Sequence, residues 1–339
     1  MISDYLWGKP MNKVSLSWAI IAGLVPVFSL AQIADDASAA EKGIGTYLLG
    51  QSGPQAGMLP PVSGVFSTNT VYIYSGQASP STEFEIGGNI VANVDVDLVL
   101  GVPGVLWVPE AEILGGRVGV FGILPIGSVG VNADVTATLP GFPPLAGSVS
   151  QSRVSVGDPQ VGALIGWTSG PLHWNLGTLI NVPIGDYENG ALDNLAFNHL
   201  SVDIYGGLTW LDPATGFELS GRAGITFNDK NSATDYKTGE EFHIEFAALK
   251  HFSPQFNAGL VGYHYQQISG DSGSGAVLGA FEGRVTALGP HVSWTFPVGQ
   301  VPVSLASRAL VEFNTKNRTE GVAGYVIVTV PLGGPTPSQ

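Results

Sequence analysis

The stretch Gly270-Asp271-Ser272-Gly273 carries the letters of the box around a trypsin-like serine nucleophile. Such a serine needs a histidine base and a buried aspartate to orient that base. The usual Ala-Ala-His-Cys context of the base is absent, and Ser274 stands where the box needs its second glycine. Gly, Asp and Ser are also turn residues for steric and hydrogen-bonding reasons, so Ser272 reads as a loop residue. Asp229-x-Asn231 opens like a calcium loop, yet Ala233 holds a ligand position and Thr234 replaces the required glycine. Calcium held only by the carboxylates and amides of this loop is the alternative. The six histidines are dispersed. His243, with Glu241 and Glu245 two residues to either side, is the best cluster, and it reads as a hydrogen-bonded network rather than a metal site. His243 or His264 could act as a base, but no serine is singled out as its partner. No catalytic residue, cofactor or metal ligand set is expected.

The bulk composition narrows the setting. Of 339 residues, 44% are hydrophobic and 12% charged, and the mean hydropathy is +0.25. No stretch of the body has the roughly 20 consecutive apolar residues of a membrane helix. The 47 glycines and 23 prolines are scattered as turn and kink punctuation. Cysteine is absent, which excludes thiolate sites and disulfides and is compatible with export. A formal charge of −14 argues against nucleic acid, whose backbone requires clustered Lys and Arg.

The front end has the layout of a secretory signal peptide: Lys13, then an apolar run Val14 to Phe28, then small-x-small sites at Ser29-Leu30-Ala31 and Ala37-Ser38-Ala39. An N-terminal membrane anchor is the alternative. The expected division is a signal peptide over 1–39, with Met11 as the true start after an upstream extension. An irregular segment follows over 40–61, then a β-domain over 62–332 and a tail over 333–339.

The body that must position these residues alternates with period two. In "NIVANVDVDLVLG", Ile90, Ala92, Val94, Val96, Leu98 and Leu100 share one face and Asn93, Asp95 and Asp97 the other. Asp203, Glu218 with Arg222, His243 with Glu245, and Arg308 with Glu312 each occupy the polar face of a similar run. Such alternation marks strands with one apolar and one polar face. Twelve runs are predicted: 64–76, 86–100, 112–131, 153–168, 172–183, 200–211, 216–227, 239–251, 256–267, 278–297, 301–314 and 319–332. At Gly289-Pro290 the apolar phase of 278–297 changes, predicting a bulge or two shorter strands and a range of ten to fourteen. Apolar faces could meet each other in a sandwich or meet lipid in a barrel. Runs of about 10 to 13 residues match tilted transmembrane strands, while soluble strands average about 5 to 6. Short turns such as 211–216 and 253–255 alternate with long polar loops, 228–238 and 267–277, as in an outer-membrane barrel. Trp174, Trp210, Phe217, Phe227, Phe242, Trp294 and Phe313 lie near strand ends, where interfacial girdles form. The fold expected is an all-β antiparallel transmembrane barrel.

A set of motifs runs through the second half: Asn228-x-x-Asn231-x-x-Thr234-Asp235-Tyr236, Thr238-Gly239-Glu240-Glu241-Phe242-His243, Gln266-Gln267, Asp271-Ser272-Gly273-Ser274-Gly275, Leu288-Gly289-Pro290 and Asn317-Arg318-x-Glu320-Gly321. With these, the chain from about Asp186 to Leu332 resembles the outer-membrane family associated with the meta-pathway of phenol degradation. The segments near 59 and 113 are similar more weakly. The chain departs from outer-membrane habit by ending Pro331-Leu332 plus a tail, where an aromatic residue is usual. The resemblance implies a barrel in the outer membrane of a Gram-negative bacterium, linked to passage of small apolar or aromatic solutes, and it brings no catalytic residue. Its implied partners are the lipid bilayer, those solutes, and the export and barrel-assembly machinery. Candidate lumen residues are Asp95, Asp97, Asp203, Glu218, Arg222, His243, Glu245, Arg284, Arg308 and Glu312. Their charges either orient solutes in a path or pair into a plug. The loop candidates Asn228, Asn231, Asp235, Tyr236, Asp271 and Ser272 would be the working part if the barrel were instead an adhesive surface protein.

Overall fold

The computed structural model describes residues 41–80, 82–137 and 145–333. The expected signal peptide, the start at Met11 and residues 334–339 of the tail lie outside them. A short 3-10 turn, Glu41–Gly43, opens the described chain. The strands then run β1 (Gly64–Gln77), β2 (Glu83–Ile86), β3 (Asn89–Val108), β4 (Glu112–Ile113), β5 (Gly116–Ile123) and β6 (Ile126–Ala137). They continue with β7 (Leu145–Val156), β8 (Gln160–Ser169), β9 (Leu172–Asn181), β10 (Ser201–Leu211) and β11 (Phe217–Asn228). The last are β12 (Glu241–Ser253), β13 (Phe256–Gln267), β14 (Arg284–Val298), β15 (Val301–Lys316) and β16 (Glu320–Gly333).

Twelve of these close a ring: β1, β3, β5 and β8 through β16, each antiparallel to its neighbours. Closure removes the unpaired edges that lipid could not satisfy. The turns 169–172, 211–217, 253–256 and 298–301 lie at one end with the entry at Gly64 and the exit at Gly333, which makes that end periplasmic by the usual asymmetry. The long connections 182–200, 229–240 and 268–283 crown the other end.

Outward-facing residues form the lipid belt. Ile73, Val99, Leu176, Ile204, Leu219, Leu260 and Val326 are all exposed. Trp107, Trp210, Phe217, Phe252 and Trp294 sit exposed near the periplasmic ends, and Phe227 and Phe313 near the opposite ends. Trp174 and Phe242, expected among them, are half-buried.

Prolines explain the main departures from the predicted runs. The run over 112–131 divides at Leu124-Pro125 and the run over 153–168 belongs to two strands divided at Gly157-Asp158-Pro159. Proline has no amide for the ladder. The two breaks lie side by side, since the Gly157 amide donates to the Pro125 carbonyl at 2.8 Å. Below the break β5 and β8 complete the ring, and above it β6 and β7 pair as an extension against β3. By contrast β3 runs past the predicted end through Pro103 to Val108, because Pro103 sits on the outward face and its carbonyl takes the Leu124 amide at 3.1 Å. The predicted phase change at Gly289-Pro290 is not there. β14 is one strand in constant register across those residues, with Val285, Ala287 and His291 buried inside and Leu288, Val292 and Trp294 outside. Its register shift falls at Arg284/Thr286 instead.

Candidate functional site

The lumen has two unlike walls. On β10 to β12, every second residue from Asp203 to Thr209, Glu218 to Thr226 and Glu241 to Glu245 turns inward, and polar groups dominate. Asp203, Glu218, His243 and Glu245 are each at most 2% exposed, yet each has partners. On β1, β3 and β6 the inward residues are mostly apolar or aromatic, including Tyr72, Tyr74, Val96, Leu98, Leu100, Val102, Val129 and Val131, with Thr68 and Thr70 nearer the periplasmic end.

The segment from Glu41 to Pro60 threads this lumen as a plug. It bonds to the polar wall and to strands on either side of it. Glu245 accepts the Tyr47 hydroxyl at 2.9 Å, the Gly50 amide at 3.2 Å and the Ser52 amide at 2.8 Å. Glu218 accepts the Gln55 amide at 2.7 Å, and Thr209 the Gly57 amide at 2.9 Å. Gln160 and Asn175 donate to the Thr46 and Ala56 carbonyls, both at 2.8 Å. The Arg308 guanidinium donates to the Gly50 carbonyl at 2.7 Å and to that of Ser52, while the Tyr325 hydroxyl donates to the Leu49 carbonyl. The Tyr47 ring stacks on His243 at 3.7 Å. Buried charges of this kind are tolerable only when each is hydrogen-bonded; the plug's backbone supplies bonds to Glu218, Glu245 and Arg308, while Asp203 and His243 bond each other at 2.8 Å.

The plug leaves two cavities. The outer one, of about 140 Å³, is lined by Tyr72, Leu98, Leu100, Val102, Leu192, Phe197 and Arg318 among others. The inner one, of about 270 Å³, lies among Leu59, Leu106, Phe121, Leu164, Tyr205 and Arg222. Tyr47 and Ile123 line both. Both cavities open on the apolar residues of β3 and β5; the outer one also meets Asp158, Gln160 and Asn181, and the inner one reaches across to Tyr205 and Arg222 on β10 and β11. A dry cavity of about 150 Å³ is enough for benzene, so the outer one has room for a single ring.

At the extracellular end the loops clasp one another and the head of the plug. Asn231 is buried and donates to Glu41 at 3.0 Å and to Tyr187 at 3.1 Å. Asn228 donates to Glu241 at 2.9 Å. Asp271 accepts the Gly239 amide at 2.9 Å, the Gln267 amide group at 2.5 Å and the Tyr236 hydroxyl. Burial pushes its carboxyl up to about 7. The Lys230 ammonium, with Ser274, holds the exposed Asp235 carboxyl well below the usual carboxylate range. Ser272 bridges to Lys237 through backbone bonds of 2.8 and 2.9 Å. Gly273 has φ 101°, and a Cβ there would strike the Asp235 carbonyl. The protease-like box is thus a turn stapled to the neighbouring loop.

The lumen candidates divide. Asp203, Glu218, Arg222, His243, Glu245, Arg308 and Glu312 point inward. Asp95 and Asp97 do not: both are exposed on the outer face of β3, toward the end beyond the apolar Val99, where charge can meet water. Arg284 pairs in register with Gln266 on the outward phase near the extracellular rim and is half-buried there. The plug residues and the apolar wall were not among the candidates. The second had a signal, because "LVLGVPGVLWV" is apolar at both phases, as a strand must be when lipid lies on one side and an apolar lumen on the other.

A closed ring, a lipid belt with aromatic ends and a plugged lumen define an outer-membrane β-barrel. The sequence profile described as "Putative MetA-pathway of phenol degradation" matches residues 81–326, and the chain belongs to that family of the Gram-negative outer membrane. The COG4313 outer membrane channel from Pseudomonas putida F1 has the same fold: TM-score 0.64 at 12% identity, covering 81% of this chain and 97% of that one. A FadL homologue of Pseudomonas aeruginosa is more distant, with TM-score 0.38 at 9% identity over 80% of this chain and 89% of its own. No curated protein matches the sequence.

Proposed function

We propose that the protein is a passive channel for small apolar or aromatic compounds, which travel along the β1–β3–β5 wall past the plug. The observation that carries this is the division of the lumen. The plug satisfies buried polar groups of β10 to β12, and the two cavities it leaves both open on the apolar residues of β3 and β5. Water and ions gain little from such a surface, whereas a ring compound gains about 25 cal/mol per Å² of apolar area covered. The family's link to phenol degradation fits a cargo of this kind. Asp203, Glu218, His243, Glu245 and Arg308 then serve as the plug's anchors, and the chain carries out no catalysis. Residues 1–39 are the signal peptide read by the export machinery, and the barrel-assembly machinery inserts the ring. N-terminal sequencing of the mature protein tests the cleavage. Uptake of labelled phenol by cells with an intact outer membrane tests the channel. The protein raises phenol uptake well above that of cells lacking it and leaves uptake of a sugar of similar size unchanged. Equal gains for both would refute apolar selectivity.

A further inference from the structure

The outer cavity contains one polar group that the barrel does not use. Arg318, in the turn between β15 and β16, is 9% exposed and lines this cavity. Its guanidinium lies over the Tyr265 ring at 4.2 Å. Among the described residues it makes no ion pair, and its buried Nη1 has no hydrogen-bond acceptor. Arg308, on the same side of the barrel, is held by the plug: its Nη1 is taken by the carbonyls of Gly50 and Ser52, and only its Nε is left without an acceptor. A guanidinium has five N–H donors, and a buried donor without an acceptor is costly.

The nearby carboxylates are already engaged. Glu312 accepts the Tyr263 hydroxyl at 2.6 Å, the Tyr74 hydroxyl at 2.8 Å and the Gly321 amide at 2.9 Å. Glu241 accepts the Tyr265 hydroxyl at 2.5 Å and Asn228 at 2.9 Å. Both act on Arg318 through space without accepting its protons. Two carboxylates already face one guanidinium, so the site lacks an acceptor atom and not a negative charge. An anion entering here would meet like charge at short range in a poorly screened interior.

Building on the channel reading above, we propose that Arg318 is a specificity residue. It selects neutral ring compounds that carry an acceptor oxygen, a carbonyl or hydroxyl, over bare hydrocarbons and over carboxylates. The ring lies against Leu98, Leu100 and Tyr72, and the oxygen accepts from the guanidinium.

The test is equilibrium binding to the full-length protein in lipid nanodiscs, corrected with empty discs. Acetophenone, isopropylbenzene and benzoate are the probes, and heat-modifiable gel migration reports folding. Wild type binds acetophenone about tenfold more tightly than isopropylbenzene, as a charge-assisted hydrogen bond gives, and binds benzoate weakest. Arg318→Leu removes the preference and leaves isopropylbenzene binding unchanged. Arg318→Lys, which keeps a donor, retains part of it. An unchanged preference in folded Arg318→Leu overturns the role of Arg318. Benzoate binding tightest overturns the neutral-ligand assignment. If both neutral rings bind equally to wild type, selection fails while the apolar path stands. If neither binds above empty discs, the channel reading itself falls, and selection falls with it.

Discussion

Glu245 bears more of the plug than any other side chain, because its two oxygens take a hydroxyl and two backbone amides from Tyr47, Gly50 and Ser52. Glu245→Ala leaves those donors without an acceptor, at a cost of about 1–3 kcal/mol each. The expected outcome is a looser plug and a several-fold rise in single-channel conductance, with the barrel still heat-modifiable. Asp271 governs the loop clasp in a different way. Its folded carboxyl titrates at about 7, against an ordinary value of 3.8. A raised value means that the folded clasp favours the protonated form, so its contribution to stability is full below about pH 4 and is lost as pH rises through 7. Hydrogen-exchange protection of residues 228–241 and 267–284 falls over that window in the wild type and is flat in Asp271→Asn. Most of these roles were visible in the sequence only as residue types. His243 between Glu241 and Glu245 did announce a polar network, but its partner Asp203 is forty residues away in sequence, and the bond between them depends on strand order.

Strand pairing explains which expectations survived. From β10 to β12 the alternation of the sequence and the alternation of the wall agree closely, because one face meets lipid and the other meets polar groups. In β3 both faces are apolar over Leu98 to Leu106, so the pattern could not say which side faced the lumen. Asp95 and Asp97 were misplaced for that reason. The plug left no periodic mark at all, since an irregular segment makes its bonds one at a time. Its glycines do mark it physically. A Cβ on Gly57 would run into the His173 carbonyl and the Thr209 amide, so the plug passes against the backbone of β9 and β10 there. Gly57→Val displaces the plug without removing any polar group, and conductance rises. Gly147→Val on β7, where a Cβ meets open space, leaves conductance unchanged. Equal conductance in the two variants would count against the plug's tight seat.

At the scale of the molecule, a ring of twelve strands is wider than its side chains alone can fill and narrower than an open porin. The plug and the in-folded loop 182–200 take up the difference, and what they leave is a pair of cavities that share the apolar face of β3 and β5. Ring size, membrane setting and family were legible in the sequence from strand length, turn asymmetry and the loop motifs. The division of the lumen was not, because it depends on which wall the plug's backbone finds acceptors on. The most direct measurement is phenol uptake by cells carrying Val102→Trp, which fills the outer cavity from the apolar wall and touches none of the plug's hydrogen bonds. Phenol uptake falls to the level of cells without the protein while the folded barrel's ion conductance is unchanged. Unaltered phenol uptake in the folded variant would contradict it, and the path would then have to lie elsewhere.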